Sequence, residues 1–128
     1  MPATSKRNYK KALELAKNAA PLLKGSSTSS ADREQGIALL TEAITLAPDK
    51  AAFYSLRGKA FAHDGMFQRA LFDYSMTIRL EPTAAKHYGC RAECFKKLGR
   101  VADCLKDYTE AVRHEKGGGR YIFERAMV

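Results

Sequence analysis

Apolar and small residues recur at helical spacing through the middle of the chain. One stripe occupies positions i, i+3, i+4 and i+7 of a helix face and comprises Tyr54, Arg57, Gly58 and Phe61. Gly65 follows as a stop signal, and a second stripe begins at Ala70 and continues until Pro82, which cannot extend a helix. The pattern therefore predicts two helices joined by a short turn, with the aliphatic stem of Arg57 lying along the first.

The same pattern returns at an offset of 34 residues, the distance from Pro48 to Pro82. Other sets aligned by this offset are Gly36 with Ala70 and Cys104, Leu40 with Tyr74 and Tyr108, Tyr54 with Tyr88, and Gly65 with Gly99. The small residues predict close crossings of paired helices, at Gly58 with Ala70 and again at Ala92 in the next unit. Each unit is therefore predicted to be a helical hairpin, with aromatic residues filling the space between hairpins.

The stretch FYSLRGKAFAHDGMFQRALFDYSMTIRLEP at residues 53–82 resembles the unit of the tetratricopeptide repeat (TPR) family. That unit has ~34 residues, with two aromatic residues and a small one in its first helix, then alanine, an aromatic residue, alanine and a closing proline. Residues 85–118 match again, with Lys116 in place of the proline. The resemblance implies an all-α fold, a right-handed superhelix of antiparallel helix-turn-helix hairpins, and a non-enzymatic protein-interaction module (scaffold or adaptor).

The resemblance and the repeat register together predict a single TPR domain over residues 1–128. The first repeat, 1–50, carries an inserted Gly/Ser loop at 25–35, and Asp32 is expected to cap the helix that follows. The second and third repeats are 51–84 and 85–118, and residues 119–128 start a fourth repeat or form a capping helix. The opening YIFERA favours a fourth repeat, so we expect a longer repeat array or, otherwise, self-association through exposed faces of the terminal helices.

Composition and charge narrow the class of protein. The 128 residues are 45% hydrophobic, enough for one core, and contain no apolar run of the roughly 18 residues that a membrane span needs. Three cysteines without the spacing of a disulfide framework indicate a cytoplasmic, reducing environment. The 22 Lys and Arg exceed the 14 Asp and Glu, and the formal charge of +8 favours acidic partners.

The soft metal ligands of the chain are best explained as packing residues. Cys90 and Cys94 lie four apart on a predicted helix, with His87 three residues before Cys90. All three occupy packing positions of the repeat, and they lack the paired short spacings of structural zinc sites. His63 and His114 are scattered without a nucleophile, and the glycines at 117–119 lack the strand and lysine of a phosphate-binding loop. We therefore predict no enzyme activity, no cofactor and no metal.

The TPR resemblance implies that the first helix of each repeat lines the concave wall of the superhelix. The face opposite the packing stripe then forms a groove, whose predicted partner-binding residues are Lys10, Ser55, Lys59, His63, Lys86, Glu93, Lys96, Lys97 and Arg120. Most of the charged side chains in this set are positive. The groove is therefore predicted to bind a protein or peptide segment that is extended or helical and acidic.

Three alternatives remain open from the sequence. A co-chaperone that binds chaperone tails needs a two-carboxylate clamp, and Lys10 and Lys86 match the two lysines that the family uses there. Glu14, Leu56 and Cys90 stand where asparagine, asparagine and arginine are required, so the clamp is degenerate. The net charge also suits a nucleic-acid binder, although the aromatic residues fall on packing stripes instead of beside exposed bases. Finally, the basic residues 1–24 could serve as a mitochondrial targeting segment.

Overall fold

The structure is a computed structural model that describes residues 4–24, 29–116 and 119–127. Over those ranges the chain contains no strand and forms seven helices: α1 (Lys6–Leu23), α2 (Ser30–Leu46), α3 (Ala51–His63), α4 (Phe67–Leu80), α5 (Ala85–Lys97), α6 (Val101–His114) and α7 (Arg120–Ala126). This confirms the predicted all-α class. The glycine break predicted at 117–119 falls between α6 and α7, and its first two residues lie outside the described ranges. None of the helices described is long and apolar enough to cross a bilayer.

Consecutive helices pair as hairpins, and the hairpins stack. α1 packs on α2, α3 on α4, and α5 on α6, while α2 packs on α3, α4 on α5, and α6 on α7. Gly65 and Gly99 form the tight turns within the second and third hairpins, with φ angles of 77° and 75°. Glycine adopts this left-handed conformation without strain, so the chain can reverse direction there. The helices of these two hairpins therefore run antiparallel, as predicted.

Two tyrosine hydroxyls secure the loops between hairpins. The Tyr54 hydroxyl donates to the Pro48 carbonyl oxygen at 2.9 Å, and the Tyr88 hydroxyl donates to the Pro82 carbonyl oxygen at 2.7 Å. Each proline lies just beyond a second helix, and each tyrosine lies in the first helix of the next repeat. The bond therefore holds one hairpin against the next, and it recurs with the 34-residue offset of the sequence.

The second helix begins earlier than the sequence pattern predicts. α2 starts at Ser30, so the prediction of a Gly/Ser loop at 25–35 was wrong beyond residue 29, and residues 25–28 lie outside the described ranges. Ser29, and not Asp32, is the N-cap, because its hydroxyl accepts the Asp32 amide proton at 3.1 Å. Good helix formers follow the serine, and Asp32 places a negative charge in the first turn. The helix therefore extends back to the serine.

The core lies between paired helices, where the small residues predicted close crossings. Fully buried residues at these crossings are Ala70, Ala92 and Cys104. Gly58 is buried too, and a Cβ atom built on it would lie 3.0 Å from Tyr74 Cε1 and 3.2 Å from Asp73 Cβ. Phe61 and Tyr74 pack with Cys94, which joins the second hairpin to the third. Both expectations, close crossings at small residues and aromatic packing between hairpins, are confirmed.

Two buried ion pairs, which the apolar pattern does not reveal, connect the helices of the second and third repeats. Arg57 Nε and Nη2 donate to the two carboxylate oxygens of Asp73 at 2.9 and 2.7 Å. Arg91 makes the same two bonds to Asp107 at 2.6 and 2.8 Å. Each guanidinium group also donates to a hydroxyl on the preceding helix at 3.3 Å. Each arginine therefore holds three helices together.

Candidate ligand-binding groove

One face of α5 lies between α3 and α7 and lines two adjoining cavities. Helical spacing places Lys86, Cys90, Glu93 and Lys97 on this face, because they lie at positions i, i+4, i+7 and i+11. The cavities share Cys90 and Glu93 from α5 and Lys59 from α3. They therefore form one continuous groove across the first helices of successive repeats.

The α3–α5 cavity has a volume of about 600 Å³. Its ionisable edge consists of Lys59, His63, Glu93 and Lys97. Its apolar lining includes Phe67, Tyr74 and Cys94, which belong to the core between the second and third hairpins. The cavity thus combines an apolar floor with a charged rim, which is the usual make-up of a ligand site.

The α5–α7 cavity has a volume of about 500 Å³ and is more polar. Its charged lining residues are Lys59, Lys86, Arg120, Glu93 and Glu124. Tyr108 of α6 and Tyr121 of α7 supply its aromatic lining. Four helices, α3, α5, α6 and α7, therefore contribute side chains to this one space.

Six of the nine predicted groove residues line these cavities: Lys59, His63, Lys86, Glu93, Lys97 and Arg120. Lys10 is exposed on α1 and Ser55 is half-buried on α3, and neither lines the groove. Lys96 lies outside it as well, about 100° around α5 from Lys97. Lys96 is instead near Cys104 of α6: burial raises the pKa of the Cys104 thiol, and the positive charge of Lys96 opposes that rise. Ligand binding by the nine residues stays a prediction.

The sequence pattern predicted Arg120 of α7 but missed Tyr108 of α6 and the other groove residues of α7, Tyr121 and Glu124. Tyr121 packs across Gly89, which is buried, and a Cβ atom built on Gly89 would overlap the Tyr121 ring. A glycine on the groove face of α5 was therefore the available signal, since it marks a place where another side chain approaches closely. Tyr108 and Glu124 carry no such signal, because only the packing of α7 on α6 brings them to the cavity.

The cations of the α5–α7 cavity are close together and have no acidic partner. Partial burial and the neighbouring charge of Lys86 lower the pKa of Lys59. Burial raises the pKa of the Cys90 thiol, against the opposing charges of Lys59, Lys86 and Arg120. None of these three cations forms an ion pair with any residue that the structure describes, whereas Arg57 and Arg91 are both paired. Glu93 and Glu124 also line the cavity, so its charged side chains leave one positive charge in excess.

The cysteines and His87 behave mainly as packing residues, as predicted. Cys94 and Cys104 are buried, and burial raises the pKa of Cys94 to about 12, so its thiol is a poor nucleophile. His87 is buried, and its Nε2 lies 2.7 Å from Glu81 Oε1. Cys90 differs, because it is half-buried and lines both cavities. Across the part of the chain that the structure describes, no three His, Cys, Asp or Glu residues are placed to hold a metal ion.

Comparison with protein-family models and with curated protein sequences gives no match. Solved structures do match. The first TPR of Spaghetti (RPAP3), bound to the HSP90 peptide SRMEEVD, is 19% identical, with a TM-score of 0.81 over 93% of this chain and 90% of that one. The second TPR domain of human RPAP3, in complex with the HSP70 peptide SGPTIEEVD, is 18% identical, with a TM-score of 0.82 over 94% and 96%. The Arabidopsis OM64 TPR domain is 21% identical, with a TM-score of 0.81 over 94% and 95%.

Proposed function

From the tetratricopeptide repeat fold of this chain we propose that it is a non-enzymatic protein-interaction module, a scaffold or adaptor that binds an acidic peptide segment along α3, α5 and α7. The observation that carries the proposal is a set of unpaired cations in the groove. Its members are Lys59, Lys86, Lys97 and Arg120, none of which forms an ion pair with a described residue. Because like charges held together repel, this set favours a ligand of opposite charge.

The lining of the groove supports a segment that carries apolar as well as acidic side chains. The α3–α5 cavity offers Phe67, Tyr74 and Cys94 as an apolar floor below Lys59 and Lys97. Two domains of similar fold are bound to the peptides SRMEEVD and SGPTIEEVD, which both end in EEVD and so combine acidic residues with a valine. A ligand of this mixed composition suits the cavities of this chain, which alternate between apolar and cationic lining.

The proposed mode of binding differs from the two-carboxylate clamp. Of the clamp positions, Leu56 packs against the core cluster that contains Leu40 and Phe53, and Cys90 is a half-buried thiol, so neither offers a strong donor to a carboxylate. Glu14 is exposed on α1 and carries the wrong charge. Lys86 is the clamp position that both lines a cavity and carries a strong hydrogen-bond donor. We therefore propose that Lys59 and Lys97 of the α3–α5 cavity take over charge recognition.

The proposed location is the cytoplasm. All three cysteines are free thiols, and Cys94 and Cys104 are buried without pairing, which suits a reducing compartment. Fractionation of cells that express the tagged chain tests the location. Import into mitochondria with removal of the basic residues 1–24 would contradict it.

Charge reversal in the groove tests the proposed function. We would titrate wild-type protein and a Lys86→Glu/Lys97→Glu variant with a fluorescein-labelled peptide of glutamate, aspartate, valine and glycine. The matched control, Lys11→Glu/Lys17→Glu, makes the same change in net charge at exposed positions of α1. We expect the groove variant to bind about tenfold more weakly or worse, a loss of about 1.4 kcal/mol, and the control to bind almost as the wild type does.

Three results bear against the proposal. Equal weakening in both variants would mean that net charge, and not the groove, attracts the peptide. If the affinity for the peptide stays the same when salt rises from about 0.1 M to about 0.5 M, exposed charges do not contribute to binding, because salt screens such charges over roughly 10 Å at 0.1 M. Tighter binding of single-stranded RNA than of the acidic peptide, with steep salt dependence, would favour the nucleic-acid alternative.

A further inference from the structure

The α5–α7 cavity gathers strong donors from four separate helices. Lys59 lies on α3, Lys86 on α5, Arg120 on α7 and Tyr108 on α6, and all four line the same space of about 500 Å³. The three cations have no ion-pair partner among the described residues. By contrast, Arg57 at the contact between α3 and α4 is matched by the carboxylate of Asp73. The cavity therefore brings together three cations that lack an ion-pair partner within the described part of the chain.

Tyr108 provides a second and independent observation. Its side chain is 1% exposed, and its hydroxyl oxygen is buried without a hydrogen-bond partner among the residues described. A buried hydroxyl without a partner is unfavourable by about 1–3 kcal/mol, so such groups are rare in folded proteins. Burial and the charge of Glu93 raise the pKa of the phenol. The hydroxyl therefore keeps its proton and can donate it in a hydrogen bond.

Two other buried tyrosines, which lie in the first helices of their repeats, are satisfied within the fold, whereas Tyr108 is not satisfied by any residue that the structure describes. Tyr54 and Tyr88 each donate to a proline carbonyl oxygen. Tyr108 instead lines a cavity that also holds three cations. An acceptor that carries negative charge would satisfy the phenol and the cations together, because charged acceptors form the stronger hydrogen bonds.

We propose that the α5–α7 cavity is the seat for one carboxylate of the bound segment, which Lys59, Lys86 and Arg120 contact by charge and to which Tyr108 donates a hydrogen bond. The inference rests on the proposed function and names the group that the groove recognises. The cavity includes two of the clamp positions, Lys86 and Cys90, but Lys86 is the one clamp position among its four donors. Its other donors lie on α3, α6 and α7.

The charge balance of the cavity favours a singly charged group. Glu93 and Glu124 also line it, so its five charged side chains leave one positive charge in excess. A carboxylate neutralises that excess, whereas a doubly charged phosphate would face two carboxylates of the same sign. The carboxylate can belong to an aspartate or glutamate side chain or to a free chain terminus, because both present the same two oxygens.

A pair of tyrosine variants separates a ligand contact from a structural role. Tyr108→Phe removes the unsatisfied hydroxyl, so we expect its thermal stability to equal or exceed that of the wild type. Its affinity for the labelled acidic peptide should fall about tenfold, the effect of losing a hydrogen bond to a charged group. Tyr88→Phe is the matched control: it loses the bond to Pro82, so stability should fall while affinity stays unchanged.

Arg120→Gln provides a second test at an exposed position of α7, where the substitution does not disturb the core. We expect it to weaken peptide binding by about tenfold, as Tyr108→Phe does. The peptide is used with a free and with an amidated carboxyl end. Weaker binding of the amidated form assigns the seat to the terminal carboxylate, and equal binding assigns it to a side-chain carboxylate.

The failure of this inference differs from the failure of the proposed function. If the peptide binds and Lys86→Glu/Lys97→Glu weakens it, but Tyr108→Phe and Arg120→Gln bind as the wild type does, the carboxylate seat is overturned and the groove remains. If an inorganic phosphate titration displaces the peptide more effectively than acetate at equal ionic strength, a carboxylate seat is overturned in favour of a phosphoryl site. If the acidic peptide does not bind at all, both proposals are wrong.

Discussion

Replacing Arg57 with methionine should reveal how much the buried ion pair between α3 and α4 stabilises the fold. The Asp73 side chain is 0% exposed and the Arg57 side chain 14% exposed, and two hydrogen bonds of 2.9 and 2.7 Å join them. Methionine keeps much of the length and apolar contact of the arginine stem but removes both donors and the charge. The variant therefore leaves a buried carboxylate without its partner.

The expected loss is large for a domain of this size. Removing one partner of a buried pair destabilises by about 3–5 kcal/mol, since the remaining charge stays out of water. Natural domains are stable by only about 5–15 kcal/mol, so urea unfolding followed by circular dichroism should show the loss clearly. Arg113→Met is the control. Its side chain is 71% exposed and 3.4 Å from Glu110, so it should change stability by about 1 kcal/mol at most.

A double variant decides whether the charge of Asp73 is the cause. Arg57→Met with Asp73→Leu removes both charges, and apolar replacement of a buried pair is often neutral or stabilising, so it should recover much of the loss. A single variant that loses less than about 1 kcal/mol, or a double variant no more stable than the single one, would refute the reasoning. The first result would mean that water or another group reaches the carboxylate, and the second that its unpaired charge is not the cause of the loss.

The same variant should show a characteristic pH dependence. Burial raises the pKa of Asp73 above its ordinary value of 3.8, and the Arg57 guanidinium opposes that rise. Without Arg57 the folded-state pKa rises further, so the folded variant holds a proton that the unfolded chain releases. The stability that this proton contributes is fully present at pH values below the pKa of Asp73 in the unfolded chain. It is lost as the pH rises through the pKa of Asp73 in the folded variant. The deficit of Arg57→Met relative to wild type should therefore shrink as pH falls towards 3.8.

Three further substitutions or modifications test separate parts of the structure. Gly58→Leu should destabilise by about 1–3 kcal/mol or more in thermal unfolding, because its Cβ would already approach Tyr74 Cε1 to 3.0 Å; an unchanged melting temperature would place Gly58 outside the crossing. Ser29→Ala should cost about 1 kcal/mol by removing the N-cap of α2, whereas Ser30→Ala, at the first helical residue, should not. Cys94, whose pKa burial raises to about 12, should react with a thiol reagent at neutral pH only as fast as the protein unfolds, and rapid labelling of the native state would contradict its burial.

The local features of this fold were predictable from the sequence because they depend on residues close together in the chain. The 34-residue offset placed the hairpins, Gly65 and Gly99 ended two first helices, and Pro82 lies just beyond α4. Helical spacing also brought Lys59, Lys86 and Lys97 to the groove, since residues on one helix face stay on it wherever the helix packs. The start of α2 was the exception, because Ser29 competed with Asp32 as a cap within a run of serines.

Contacts between helices were decided only in the tertiary structure. The offset aligns Arg57 with Arg91 and Asp73 with Asp107, but nothing in the apolar pattern says that these residues meet. The proposed carboxylate seat likewise depends on Tyr108 of α6 and on the packing of α7. Which face of one helix meets another depends on the angle at which they cross, and many side chains distant in the chain determine that angle together. Helical periodicity specifies which residues share a face, but only packing specifies what that face contacts.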